Sequence, residues 1–340
     1  MSALETISPY LPGIWLAIIG TLLLYYVVTD GYDLGVGILS LFSRTERERL
    51  TLIASLKGVW TSNQTWLVLL GGMAFGAFPI FYGLLLSSLY VPIVIMLFGL
   101  IFRGVAIEVS GPWRPHLRGL AFGLGSLVTA LAQGFAAGAL FGGLNLAGLR
   151  FAGSPWDWLS PFAALAAITL LACYVMLGSN YLILKTEGDL QQRCFRIARA
   201  AAAATLILGA AIFLWNVLRF PYISERWVHP ETLFRVSIFP ALALLAFAAC
   251  WRSLSRRHTL APLLWSALFV VLAFVGLSTG IYPVIIPGLT GHITVHQASA
   301  HPTTLTFMLV AVAILFPVIL VYTIYSYRVF SGKTREETYK

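Results

Sequence analysis

Charge is what this chain has least of. Its 340 residues include 13 acidic and 22 basic side chains, 10% in all, where a soluble domain carries about 25%. With 59% hydrophobic residues and a mean hydropathy of +0.86, that shortage excludes a water-soluble globule and indicates an integral membrane protein. Cysteine is scarce as well. Cys173, Cys194 and Cys250 have no metal-binding spacing. The topology below places them in spans or on the inner side, where no disulfide is expected. Residues 1–12 lack the basic stretch of a cleavable signal, so the first span is expected to serve as its own insertion signal. Regular alternation of apolar and polar residues is missing too, which makes a β-barrel a poor fit.

What the chain does have is long apolar runs. A helix needs about 20 apolar residues to cross the hydrocarbon. Nine stretches meet that need: about 13–40, 58–78, 80–104, 119–141, 160–184, 200–219, 234–251, 263–286 and 304–326. The expected fold is therefore an all-α membrane protein with about nine transmembrane helices in a single integral membrane domain. Basic residues set its orientation. Arg44, Arg47, Arg49, Lys57, Arg114, Arg118, Lys185, Arg193, Arg196, Arg199, Arg252, Arg256, Arg257, Arg328, Lys333, Arg335 and Lys340 follow odd-numbered spans. Only Arg150, Arg219, Arg226 and Arg235 fall on the other side. Positive charge stays inside, so the N-terminus is expected outside and the C-terminus inside. The net charge of +9 thus reflects topology, and no nucleic-acid partner is expected.

Loops are short. The longest outer ones, about 142–159, 220–233 and 287–303, carry Trp156, Trp158 and Trp227, residues suited to the membrane interface. An internal echo links residues 22–34, LLLYYVVTDGYDL, with residues 170–182, LLACYVMLGSNYL. The second copy keeps a tyrosine and small residues but has no carboxylate.

Residues 29–37, TDGYDLGVG, close the first span with two carboxylates. A charge at mid-span costs about 2.5–3.5 kcal/mol on insertion scales, so its default reading is functional. Asp30 and Asp33 are three residues apart and share a helical face. On the expected topology, the start of span two (Asn63, Gln64) and the end of span three (Arg103, Glu108) reach the same inner region. Such a group could relay protons, since its members both donate and accept in some state. It could equally be a buried ion pair with amide glue that fixes helix positions. Glycines 31, 35, 37, 71 and 72 are expected at close-packing positions. His292 and His296 have a four-residue spacing that suits a metal only on a helix, and Pro287, Gly288 and Gly291 argue for irregular chain, so no metal site is expected. His116, His229 and His258 sit in charged loops, and no haem ligand set stands out.

Four motifs carry a resemblance: TDGYDLGVGIL at 29–39, NQTWLVLLGG at 63–72, FGAFPIFY at 75–82 and LIFRGVAIE at 100–108. Together with Tyr282-Pro283 and FPVILVYT at 316–323, they resemble subunit II of the cytochrome bd-type quinol oxidases. The third span is most like the cyanide-insensitive branch. The resemblance implies two four-helix bundles, about 13–141 and 160–286, and a peripheral ninth helix at 304–326. It implies a bacterial cytoplasmic (inner) membrane and a partner subunit I carrying the haems, b and d or b only, and the quinol site. A small accessory subunit and membrane lipid are further partners it allows, and some members hold a structural quinone. No cofactor is expected on this chain itself, whose role would be to stabilise the haem subunit and contribute to proton uptake. Many members have an aspartate directly after the tryptophan that is Trp60 here. This chain has Thr61, so a complete proton route along it is in question. A secondary transporter and a purely structural scaffold are the rival readings.

Overall fold

The computed structural model describes residues 7–108, 115–219, 230–289 and 291–334. Arg114, Arg226, Trp227, His229, Arg335 and Lys340 lie outside the described residues.

A single 3-10 turn leads into α1 (Leu11–Ser40), whose first turn holds Pro12. Proline suits that position because the first helical N–H has no intrahelical acceptor. The short α2 (Glu46–Leu56) starts at Thr45, whose hydroxyl accepts from Glu48 N at 3.1 Å. Glu46 and Glu48 lie at its positive end. Helix α3 (Trp60–Ala77) follows, and Phe78-Pro79 turns it directly into α4 (Pro79–Glu108). Pro92 interrupts α4, and Leu89, three residues earlier, leaves helical geometry at φ −120° and ψ 19°. The proline has no N–H and crowds the preceding turn, which accounts for the kink.

Helices α5 (Pro115–Gly142), α6 (Pro161–Lys185), α7 (Gly188–Arg219), α8 (Pro230–Ser255) and α9 (Ala261–Ile281) complete the central part. Strands β1 (Leu146–Ala147) and β2 (Arg150–Phe151) pair antiparallel between α5 and α6. After α9, β3 (Val284–Ile286) pairs antiparallel with β4 (Ile293–Thr294), and the one-turn α10 (Val295–Ala298) leads to α11 (Pro302–Val329).

The architecture is all-helical apart from these two-stranded ribbons. Among the described residues, eight helices are long and apolar enough to cross a membrane. The expected span 58–78 is α3, which is 18 residues long; its polar first turns, WTSNQT, leave it outside that group. The span expected at 263–286 is shorter than its apolar run: Pro283 has no N–H to continue the helix, and Val284–Ile286 turns into a strand. His292 precedes β4 while His296 sits in α10, so the pair does not share a helix. No group of metal-ligating side chains occurs among the described residues.

Connections alternate between two ends. At one, Arg193 pairs with Glu48 at 2.8 Å, and Tyr181 donates to Ser55 O at 2.7 Å. There too Lys185 Nζ donates to Phe330 O at 2.6 Å, Lys333 Nζ to Thr186 O at 2.8 Å, and Arg199 to Leu254 O at 3.1 Å. The carbonyls that accept from these three cations lie at or next to helix C-termini, the negative ends of the helices. At the other end, Trp15 Nε1 donates to Leu305 O at 3.1 Å, Ala300 N to Ala77 O at 2.9 Å, and Leu144 N to Pro287 O at 3.0 Å. Trp156 is exposed there and Trp158 buried.

The core lies where α1 crosses α6. A Cβ on Gly35 would stand 1.8 Å from Tyr174 O, and one on Gly178 would stand 2.5 Å from Gly35 C. Only glycine at both positions lets the two backbones approach this closely. Gly71 and Gly72, by contrast, have open space beside them.

Candidate functional site

The close crossings bury every residue from 29 to 40 on α1. The carboxylates of Asp30 and Asp33 therefore sit inside the protein, not on a lipid face, each with no solvent exposure. A second crossing supplies the cation. Gly99 on α4 faces Gly125 on α5 with almost no space between their backbones, and Gly125 also abuts Arg103 N. This sets the last part of α4 against α5, which itself packs on α1, and Arg103 reaches inward to Asp30.

Arg103 Nη2 donates to Asp30 Oδ1 at 2.5 Å, and both side chains are fully buried. Asp33 lies within electrostatic range of both but makes no ion pair among the described residues. Its Oδ2 accepts from Asn63 Nδ2 at 3.0 Å. That nitrogen also donates to the Tyr32 hydroxyl at 2.8 Å, and Asn63 Oδ1 accepts from the Tyr327 hydroxyl at 2.7 Å. The hydroxyls of Tyr32 and Tyr327 are themselves in hydrogen-bond contact. Tyr32 stacks on Tyr181 with ring centroids 4.3 Å apart.

A second polar chain starts one turn before Asp30. Gln133 Nε2 on α5 donates to the Tyr26 hydroxyl at 2.6 Å, and the Tyr174 hydroxyl on α6 donates to Gln133 Oε1 at 2.7 Å. Tyr26 and Asp30 are four residues apart and share a face of α1. Four atoms of the charged group have no hydrogen-bond partner among the described residues: Asp30 Oδ2, Asp33 Oδ1, Arg103 Nε and Arg103 Nη1.

The structure thus brings together Asp30, Asp33, Asn63 and Arg103 from three helices. It leaves out Glu108, which is exposed and accepts from Trp60 Nε1 at 3.0 Å. Gln64, beside Asn63, is half-buried and takes no part in this bonding, and Thr61 is exposed. Sequence reasoning did not single out Tyr26, Tyr32, Gln133, Tyr174 or Tyr327 as site residues. Two carried a signal: Tyr26 lies one turn before Asp30, and Gln133 is the one amide in its apolar span. Tyr327 comes from the far end of the chain and carried none.

Two carboxylates face one guanidinium in this group, and among the described residues no other charge pairs with them. Such an arrangement can hold an ion pair and, beside it, a carboxyl group able to take up and release a proton.

Comparison with known proteins agrees with the motifs. The family model for cytochrome bd terminal oxidase subunit II matches residues 11–330. Subunit 2 of the cytochrome bd-I ubiquinol oxidase of Escherichia coli K12 is 29% identical over 366 aligned residues, covering 95% of each chain. Subunit 2 of the cytochrome bd ubiquinol oxidase of Bacillus subtilis 168 is 26% identical, covering 93% of this chain and 95% of the relative. The fold is similar to that of a chain in the bd oxidase structure from Geobacillus thermodenitrificans, with a TM-score of 0.74 at 18% identity. That match covers 94% of this chain and 98% of the other. Glycine-fixed crossings, a buried carboxylate group on the first helix and matches along nearly the whole length lead to one assignment: the chain belongs to the cytochrome bd terminal oxidase subunit II family.

Proposed function

We propose that this chain stabilises the haem-carrying subunit I of a respiratory quinol:oxygen oxidoreductase and admits protons consumed when oxygen is reduced to water. The haems of subunit I, and the quinol site there, supply the electron transfer. This chain holds and moves protons. In this reading nine helices span a bacterial inner membrane as two four-helix bundles and a ninth helix, with the basic end inside.

The observation that carries the proposal is the unequal pairing of the two buried aspartates. Asp30 is tied to Arg103 at 2.5 Å. Among the described residues Asp33 has only the neutral Asn63 as a hydrogen-bond partner, at 3.0 Å, and its Oδ1 has none. Removing the partner of a buried ion costs about 3–5 kcal/mol, so the Asp30–Arg103 pair is a fixture of the fold. Asp33 is the exchanging group. It sits seven residues before the end of α1, about 10 Å along the axis from the basic end. A proton taken from the inner side resides on the Asp33 carboxyl, against the side-chain amide of Asn63. Arg103 pairs with Asp30 beside it, and its charge offsets the repulsion between the two acids.

The ion pair also favours the scaffold reading for Asp30 and Arg103 themselves, and the two roles are compatible. Thr61, where many relatives carry an aspartate, is exposed and takes no part in this step.

The test is gentle detergent extraction through a tag at Lys340, followed by a reduced-minus-oxidised visible spectrum. The proposal expects haem bands and a co-purifying subunit of similar or larger size. A chain that purifies from its native membrane alone and colourless, with solute uptake on reconstitution, would contradict it.

A further inference from the structure

The hydroxyls of Tyr32 and Tyr327 form a closed ring with the side-chain amide of Asn63. We infer that this ring is a two-state device whose hydrogen-bond direction reports whether Asp33 carries a proton, with Tyr327 as a positioning residue that acts through Asn63. The inference rests on the reading of Asp33 as the exchanging carboxyl.

The direction of the ring follows from the carboxylate. An oxygen of ionised Asp33 at 3.0 Å demands a donor, so Asn63 must turn its nitrogen towards it. The second hydrogen of that nitrogen goes to Tyr32 at 2.8 Å. Asn63 Oδ1 then faces the other way and accepts from Tyr327 at 2.7 Å. Each tyrosine has one hydrogen to give. Tyr327 gives its own to Asn63, so in the contact between the two hydroxyls Tyr32 is the donor. The ring therefore runs from Asn63 to Tyr32 to Tyr327 and back to Asn63.

A protonated Asp33 allows the reverse. Once Oδ2 bears hydrogen it can donate, and Asn63 can turn its amide to present Oδ1. That oxygen then accepts from Asp33 and from Tyr32, the nitrogen donates to Tyr327, and Tyr327 donates to Tyr32. Every hydroxyl keeps an acceptor, one amide hydrogen of Asn63 goes without, and no proton crosses the ring; the proton gained is the one on Asp33. The two directions have the same number of bonds within the group; the first also keeps the long contact of Asn63 Nδ2 with Thr29 O at 3.5 Å, and only a proton on Asp33 favours the reverse, as a ligand-biased two-state element requires.

The ionisable groups nearby do not impose the choice. The ionisable side chains around Asp33 are Asp30 and Tyr32 on its own helix, Arg103 on α4, Tyr181 on α6 and Tyr327 on α11. Arg103 is committed to Asp30, and Tyr181 donates to Ser55 O. Tyr327 is half-buried, two residues from the end of α11 at the basic end. It is the point where the ninth helix reaches the site, and the ring is how that helix senses it.

The test uses the intact oxidase complex carrying Tyr327→Phe and, separately, Tyr32→Phe. The readouts are haem content, turnover against pH, and the infrared C=O band of protonated Asp33, identified by its loss in Asp33→Asn. Expected are normal haem content, a carboxyl band displaced in frequency, a shifted pH profile and turnover lowered about two- to tenfold, the range of one net hydrogen bond. An unchanged band and pH profile in both variants would overturn the inference. So would the lack of any Asp33 carboxyl band in the parent at all accessible pH. Failure of both variants to assemble would reduce the ring to a structural strut and overturn it too. Should Asp33→Asn turn over normally while Tyr327→Phe still displaces the band, the proton-entry reading fails and the ring stands.

Discussion

Residues 22–34 on α1 and 170–182 on α6 echo one another in sequence, lie against one another at the centre of the molecule, and have opposite chemistry. Tyr26 and Tyr174 hold corresponding places, and both bond to the same Gln133, one to its nitrogen and one to its oxygen. Beyond that point the copies part. Where α1 has Asp30, α6 has Gly178, which abuts the α1 backbone at Gly35. Where α1 has Asp33, α6 has Tyr181, and the adjacent Asn180 donates to Ser266 Oγ at 3.0 Å and Pro262 O at 3.3 Å on α9. Both segments are deeply buried. One is built without a single charge, so burial at this position does not call for carboxylates. The carboxylates of α1 therefore answer to something other than packing, which fits the proposed proton role.

The largest effect expected on this contrast comes from breaking the ion pair. Arg103→Gln leaves Asp30 charged and unpaired, and should lower stability by about 3–5 kcal/mol, seen as loss of assembled, haem-bearing complex from membranes. Adding Asp30→Asn should restore much of that assembly. If the double variant assembles no better, the pair is not what holds α1 to α4. Next in size is the shared crossing. Gly35→Ala and Gly178→Ala should each cost about 1–3 kcal/mol through overpacking, whereas Gly209→Ala, with open space beside it, should be silent. Thermal inactivation of the purified complex measures all three. The smallest effect belongs to the uncharged copy: Asn180→Leu should cost about 1 kcal/mol and leave proton uptake unchanged. Slower proton uptake in that variant would erase the distinction between the halves.

Much of this was legible in the sequence, because long apolar runs force helices in a membrane. Helix ends were less so. The apolar run past Ile281 reads as more helix, and only Pro283 marks the change to strand. In the site, the apolar spans gave depth but not direction around a helix. Arg103 and Glu108 lie at similar depth, yet five residues at about 100° each put them on different faces of α4. Glu108 accordingly meets Trp60 instead of Asp30. Gln64 is turned about 100° from Asn63 for the same reason. The aspartates, Asn63 and Arg103 were legible because polar side chains are costly inside a span. Tyrosines are not conspicuous there, and the contact between Tyr327 and Asn63 bridges the two ends of the chain, which no local pattern encodes.

In the proposed mechanism Asp33, beside the Asp30–Arg103 pair, takes up protons for oxygen reduction. Its most direct test is proton uptake, followed with a pH dye during single-turnover oxidation of the fully reduced complex, in an Asp33→Asn variant that keeps the Asp30–Arg103 pair. Slowed uptake and turnover with haem content intact is the predicted result. Uptake at the parent's rate in a fully assembled Asp33→Asn variant would contradict the mechanism and leave the buried group a scaffold.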